Sequence, residues 1–279
     1  MDKIIYSAAE VHALCSAEAA IAIDIRPPAA YGEGHLPGAV NIHQIFTYLL
    51  TDSTPAGLAA MQATFGQLFS RAGVRCDRPV IFHDDNLASQ YGGACRGYWL
   101  LTYLGHPRAG VMAGGLKGWL AAGLPIDRLV VQPDHTDFAP IPQPHLMATT
   151  DEVKKAIGDP SIILLDNRDE PEWLGLTSSP YTVDFAPRKG RIPGARWIEW
   201  YEFMNKAPHP AFKSPDEIRA LCATRGITPE DDIIIYCFKG SRAAHTHVAL
   251  KLAGFNRVRI YFGSWNEWAR DPTLPISRQ

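Results

Sequence analysis

Residues 233–255 read IIIYCFKGSRAAHTHVALKLAGF, a strand-forming run that meets a cysteine, a short polar loop and then a helical pattern. Cys237 stands at the junction, followed by Phe238, Lys239, Gly240, Ser241 and Arg242. Backbone N–H groups of a tight loop and the positive end of a following helix both favour an anion. Lys239 and Arg242 add positive charge within the same turn. Such surroundings favour the thiolate, which is the nucleophilic form of cysteine. Gly240 is suited to a backbone angle closed to other residues, or to close approach of a ligand to the main chain. The arrangement is that of an activated nucleophile, and covalent chemistry is what it suits.

A nucleophile of this kind needs a frame. In a sheet of parallel strands, ligands bind beyond the carboxyl ends, where loops lead into helices. The strands IAIDI, VIFH and AGVMA, and later IILLD, IIIY and VRIYF, are apolar throughout, the pattern of strands covered on both faces. Helix starts carry capping boxes, Ser7 with Glu10 and Thr149 with Glu152, in which hydroxyl and carboxylate satisfy orphan backbone donors reciprocally.

The two sets of strands are copies. LFSRAGVRCDRPVIFHDD from Leu68 aligns without a gap on LCATRGITPEDDIIIYCF from Leu221, an offset of 153 residues. Upstream, AIDIRPPAAYGEGHLPGAVNI matches LLDNRDEPEWLG…KGRIPGARWI; downstream, GGLKGWLAAGLPI from Gly114 echoes GSWNEWARDPTLPI from Gly263. Matching blocks in one order mean an internal duplication. The fold class is therefore α/β, with two domains that each hold a mainly parallel sheet and helices on both faces. Residues 1–126 are the N-terminal domain and residues 147–279 the C-terminal one. Between them, residues 127–146 carry prolines at 133, 140, 142 and 144 and read as an extended linker. Asp84 occupies the position of Cys237 in the first copy. A carboxylate cannot do a thiolate's work there, so the N-terminal domain is expected to be catalytically silent and to act as a scaffold.

Composition excludes several classes of function. Of 279 residues, 46% are hydrophobic and 20% charged, with a formal net charge of -2, which gives no basic footprint for nucleic acid. No apolar stretch approaches a membrane span. Glu10, His12 and Glu18 interrupt the apolar run that a secretory signal needs, so a cytoplasmic location is the expectation. Cys15, Cys76, Cys95, Cys222 and Cys237 show no CxxC spacing, and neither a disulfide framework nor a zinc site is suggested. His245 and His247, two apart, point to different helix faces, against a metal pair. Neither metal nor cofactor is expected.

CFKGSR resembles the active loop of the rhodanese family of sulfurtransferases, and the duplicated layout is similar to that of tandem rhodaneses, whose C-terminal domain is catalytic. The resemblance covers nearly the whole chain: the Asp-x-Arg strand ends, the GHLPGA and GRIPGA turns, the cysteine loop and the closing G-S-W-x-E-W at residues 263–268. It implies two tandem rhodanese-like domains and a sulfur relay. Cys237 would take the outer sulfur of thiosulfate, sulfite would leave, and the persulfide would pass its sulfur to cyanide or a thiol. The amides from Phe238 to Arg242 would hold the persulfide and the departing oxyanion. Arg242 stands where thiosulfate-specific tandem members often carry threonine and matches the CxxGxR form of others, so loop support is its first role and substrate contact its second.

Three other readings compete. A cysteine phosphatase needs Cys-x5-Arg, and here the arginine comes one residue sooner, with Ala243 at the sixth place. A 3-mercaptopyruvate sulfurtransferase shares the fold, and Arg188 in APRKGRIPG resembles the arginine that such enzymes keep for the substrate carboxylate. Their loop usually reads Cys-Gly-[Ser/Ala]-Gly, however, and Lys239 leans towards the second charge of thiosulfate. Arg191 replaces the histidine of the usual turn, which leaves the donor preference open. A persulfide carrier that delivers sulfur to a protein partner would have the same loop.

Overall fold

The computed structural model describes residues 3–181, 183–205 and 210–278. The chain divides into two compact units, one formed mainly by residues up to Tyr48 with Ala59–Gln143, the other by Leu49–Leu58, Pro144–Asn205 and Phe212 onward. Asp127–Gln143 follows the surface of the first unit without forming a strand. It is tied there by Thr136 N to Ser70 O at 3.0 Å and by Ile141 N to Leu104 O at 2.9 Å.

In the first unit β1 (Ile5–Tyr6), α1 (Ala8–Ser16), β2 (Ile21–Asp24), α2 (Pro28–Glu33) and β3 (Val40–Asn41) come first. α3 (Gln44–Thr47), α4 (Pro55–Arg71), β4 (Val80–His83), α5 (Gly93–Tyr103), β5 (Ala109–Met112) and α6 (Gly115–Ala121) follow. Its parallel sheet runs β1-β5-β4-β2-β3. Every residue of β4 is buried, as the unbroken apolar pattern requires of a central strand with helices on both faces.

The second unit repeats the plan with β6 (Met147–Ala148), α7 (Thr150–Ala156), β7 (Ile162–Asp166), α8 (Glu170–Trp173) and β8 (Arg196–Trp197). After the short strands β9 (Met204–Asn205) and β10 (Ala211–Phe212) come α9 (Pro215–Ala223), β11 (Asp232–Tyr236), α10 (Ser241–Leu252), β12 (Val258–Tyr261) and α11 (Ser264–Trp268). The sheet order β6-β12-β11-β7-β8 is the first unit's order again, and all its pairs are parallel. Parallel neighbours need crossover connections, and α10 is the crossover between β11 and β12. Both expected capping boxes are in place, at Ser7 with Glu10 and at Thr149 with Glu152.

The repeated Asp-x-Arg has a structural reason. Arg26 Nη2 meets Asp24 Oδ2 at 2.6 Å and Gly34 O at 2.7 Å; Arg168 Nη2 meets Asp166 Oδ2 at 2.6 Å and Gly190 O at 2.8 Å. A planar guanidinium thus fixes the strand end to the following glycine turn in each copy. The second copy adds rings, with the Arg168 guanidinium 4.6 Å from the Trp265 ring centre. Trp265, Trp268, Tyr236 and Phe238 belong to one buried cluster. Among the described residues no helix is long and apolar enough to cross a membrane.

Candidate active site

β11 ends at Tyr236, and α10 begins at Ser241, so the cysteine loop is only the four residues Cys237, Phe238, Lys239 and Gly240. Cys237 is 1% exposed. Its Sγ accepts a hydrogen bond from Gly240 N at 3.0 Å. Gly240 makes that possible at φ 92°, in the left-handed region, as the residue that caps α10. No side chain caps the helix, so the amides of its first turn have no acceptor from a capping side chain on the sulfur's side.

The loop is held from beneath by α11. Trp265 N donates to Cys237 O at 3.0 Å and Asn266 N to Phe238 O at 2.9 Å. Ser264 Oγ accepts from Cys237 N at 3.2 Å and gives its one proton to Tyr261 O at 2.7 Å. That leaves no proton for Sγ, which lies 4.0 Å away. Ser264 holds φ 54°, unusual for a side chain other than glycine. The backbone strain therefore sits at the residue that accepts from Cys237 N.

Arg242 anchors the other side. Its Nη1 lies 2.5 Å from Glu172 Oε2 and 3.0 Å from Asp169 Oδ1, and its Nη2 3.0 Å from Glu172 Oε1. Burial opposes the guanidinium charge, but Glu172 and Asp169 outweigh it and hold Arg242 more firmly charged than usual. Ser241 Oγ is buried with no hydrogen-bond partner among the described residues. Lys239, 8% exposed, lies over the Tyr181 ring at 5.4 Å. Six of the seven residues singled out by sequence thus form the loop and the first turn of α10, with the Gly240 amide on the sulfur.

Both copies match the rhodanese-like domain family, over residues 7–122 and 149–271. The chain belongs to that family. A thiosulfate sulfurtransferase of Pseudomonas aeruginosa is 30% identical over 256 residues, 92% of this chain and 90% of that protein. A probable 3-mercaptopyruvate sulfurtransferase of the same organism is 34% identical over 209 residues, covering 74% and 69%. The sulfur carrier protein TtuD of Thermus thermophilus is 32% identical over 258 residues, covering 89% and 87%. Among solved structures, wild-type EanB superimposes with a TM-score of 0.81 at 26% identity, over 98% of this chain and 68% of that one.

Arg188, expected from sequence as a ligand for a substrate carboxylate, accepts at its own carbonyl from Trp265 Nε1 at 3.0 Å. Its guanidinium donates to Ala269 O at 2.9 Å, Leu274 O at 2.8 Å, Trp268 O at 2.7 Å and to Asp271 O. Trp268 O and Ala269 O lie at the end of α11, where the last carbonyls of a helix have no intrahelical partner. Arg191 likewise serves the framework, 4.1 Å over Trp173, with its backbone paired to Ser277.

In the first rhodanese-like domain the corresponding loop is built differently. α5 begins at Gly93, nine residues after Asp84, whereas α10 begins four after Cys237. Asp84 accepts from Asp85 N at 2.7 Å and Gln90 Nε2 at 2.8 Å, while Gln90 and Tyr91 sit at φ 47° and 57°. Burial pushes the Asp84 carboxyl up to about 7, against the pull of the Gln90 and Asp85 donors. Of the other cysteines, burial pushes Cys222 up to about 12 and Cys95 higher still, which makes them poor nucleophiles.

Four residues of the site escaped the sequence reading: Glu172, Asp169, Ser264 and Tyr181. The motif that contains Ser264 was visible, but its hydroxyl contact was not. Glu172 lies seventy residues from its arginine, and only the fold brings the two together.

Proposed function

We propose that this rhodanese-like chain is a sulfurtransferase working through a persulfide on Cys237, with thiosulfate as donor. The Cys237 thiolate attacks the outer sulfur of thiosulfate. The sulfur–sulfur bond of the donor breaks, its electron pair leaves with sulfite, and a new bond joins the transferred sulfur to Sγ. An acceptor, cyanide or a thiol, small or protein-borne, then attacks that outer sulfur and releases the cysteine as thiolate. Splitting the transfer in two gives ping-pong kinetics. No cofactor enters either half.

One observation carries the reading: Sγ seated at the start of α10 with the Gly240 amide 3.0 Å away. Preorganised amides of this kind stabilise charge where it develops. Phe238 walls the loop, Ser241 Oγ has a free proton for a sulfonate oxygen, and Lys239 supplies a cation for the leaving sulfite. Arg242 holds the loop rather than the donor. The hydrogen bonds of Arg188 to main-chain carbonyls favour thiosulfate over the mercaptopyruvate alternative in this reading. The first domain, with Asp84 in place of cysteine, is silent in this reading. Five free cysteines suit a reducing compartment such as the cytoplasm.

The test is mass spectrometry of the intact chain after thiosulfate, with thiosulfate and mercaptopyruvate assayed side by side on one preparation. One added sulfur at Cys237, absent from Cys237→Ser, and faster turnover of thiosulfate are expected. Sulfur on another cysteine, or turnover by Cys237→Ser, would refute the assignment.

A further inference from the structure

The two copies differ in length at a place that bears on the site. Asp24 to Gly34 is ten positions in the first copy, and Asp166 to Gly190 is twenty-four in the second. The added residues follow the Arg168 clamp and precede the GRIPGA turn. Two of the rings in this stretch end on the cysteine loop: Phe238 meets Tyr181 edge-on at 5.6 Å and Phe185 at 6.2 Å, and those two meet each other at 5.9 Å. The Lys239 ammonium lies 5.4 Å from the Tyr181 ring centre. The first copy, with Asp84, Asp85 and Asn86 in its loop, has neither the lysine nor the longer segment.

A lysine side chain has four rotatable bonds and a strongly hydrated head, so holding it nearly buried in a tight loop needs a partner. A carboxylate would hold it but would cancel the charge. The face of an aromatic ring attracts the cation through its quadrupole and leaves the full positive charge in place.

We infer that Tyr181 is a positioning residue for sulfur transfer, its ring holding the Lys239 ammonium ready for the departing sulfite. This rests on the thiosulfate reading of Lys239. It assigns the longer segment of the second copy a task that the silent copy does not have.

The experiment compares Tyr181→Leu, Tyr181→Phe and Lys239→Ser, singly and as the Tyr181→Leu/Lys239→Ser pair, by steady-state kinetics with thiosulfate. A fifth protein carries a pentafluorophenyl ring at position 181, which keeps the shape of phenylalanine but reverses the charge of its face. Tyr181→Leu should lower kcat about tenfold, the size of a partly desolvated cation–π contact. Tyr181→Phe should stay within about twofold, and the fluorinated ring should fall with the leucine variant. Lys239→Ser should lose about a hundredfold or more, and adding Tyr181→Leu should then cost nothing further. An equal loss from Tyr181→Leu with and without Lys239, or a fluorinated ring as active as Phe, would mean a packing role and overturn the inference while leaving Lys239 in place. Unchanged turnover by Lys239→Ser would overturn the thiosulfate reading and this inference with it.

Discussion

Glu172→Gln is the sharpest perturbation the structure offers. Glu172 and Arg242 are both almost wholly buried, and the carboxylate takes two hydrogen bonds from the guanidinium, at 2.5 and 3.0 Å. Gln keeps the shape but removes the charge, and its NH2 must face an N–H of Arg242. Breaking one side of a buried pair costs about 3–5 kcal/mol, because the remaining ion is left without compensation. Asp169, 3.0 Å from Nη1, retains part of that compensation, so about 3 kcal/mol is the expected loss. Since Arg242 is the second residue of α10, the Gly240 amide shifts with it. A misplacement of the order of 1 Å lowers turnover about a hundredfold. Guanidinium unfolding followed by tryptophan fluorescence reads the first quantity, and the thiosulfate assay reads the second. The pair Glu172→Leu/Arg242→Met separates them: it should recover most of the stability, as buried pairs replaced by apolar residues do, but not the turnover. If Glu172→Gln stayed within about 1 kcal/mol and kept its turnover, the clamp would not organise the loop.

Gly240→Ala places a Cβ 2.7 Å from Phe262 Cδ2 and 3.2 Å from its carbonyl, at φ 92°; strain of about 1–3 kcal/mol and at least a tenfold loss of turnover are expected, checked by unfolding and by the thiosulfate assay. A pH effect lies in α10, where burial lowers His245 and His247 to about 3, the charge of Lys251 adding to the effect at His247. Below about pH 6.5 the unfolded chain protonates both, while the folded chain does so only near 3, so stability is full above 6.5 and is lost as pH falls. The slope should reach about 1.4 kcal/mol per pH unit for each histidine, and guanidinium midpoints at pH 4.5 and 6.5 should differ less in His247→Leu than in the unsubstituted protein. An unchanged difference would mean that His247 takes up its proton without unfolding.

What sequence alone determined is whatever depends on short range or on repetition. A strand end, a cysteine, a glycine and a helix start are consecutive residues, so the loop from Cys237 to Arg242 and its geometry at Gly240 were legible from the string. The duplication was legible because both copies fold by the same pattern, and α/β architecture follows from unbroken apolar strands between helical segments. The capping boxes at Ser7 and Thr149 each span four consecutive residues. Tertiary structure decided the partners. Arg242 could have met substrate or framework; Glu172, seventy positions away, is what commits it. Arg188 sits in a segment whose pattern suited a substrate arginine, and only the fold brings its guanidinium to the carbonyls of Trp268, Ala269 and Leu274, some eighty positions on. Leu49–Leu58 belongs by sequence to the first copy, yet it is built into the second unit, where Ser53 N donates to Glu267 Oε1 at 2.7 Å. Long-range charge pairs and carbonyl caps depend on distances that the crossovers create. No local pattern encodes them, because the side chains that meet are free to lie anywhere along the chain.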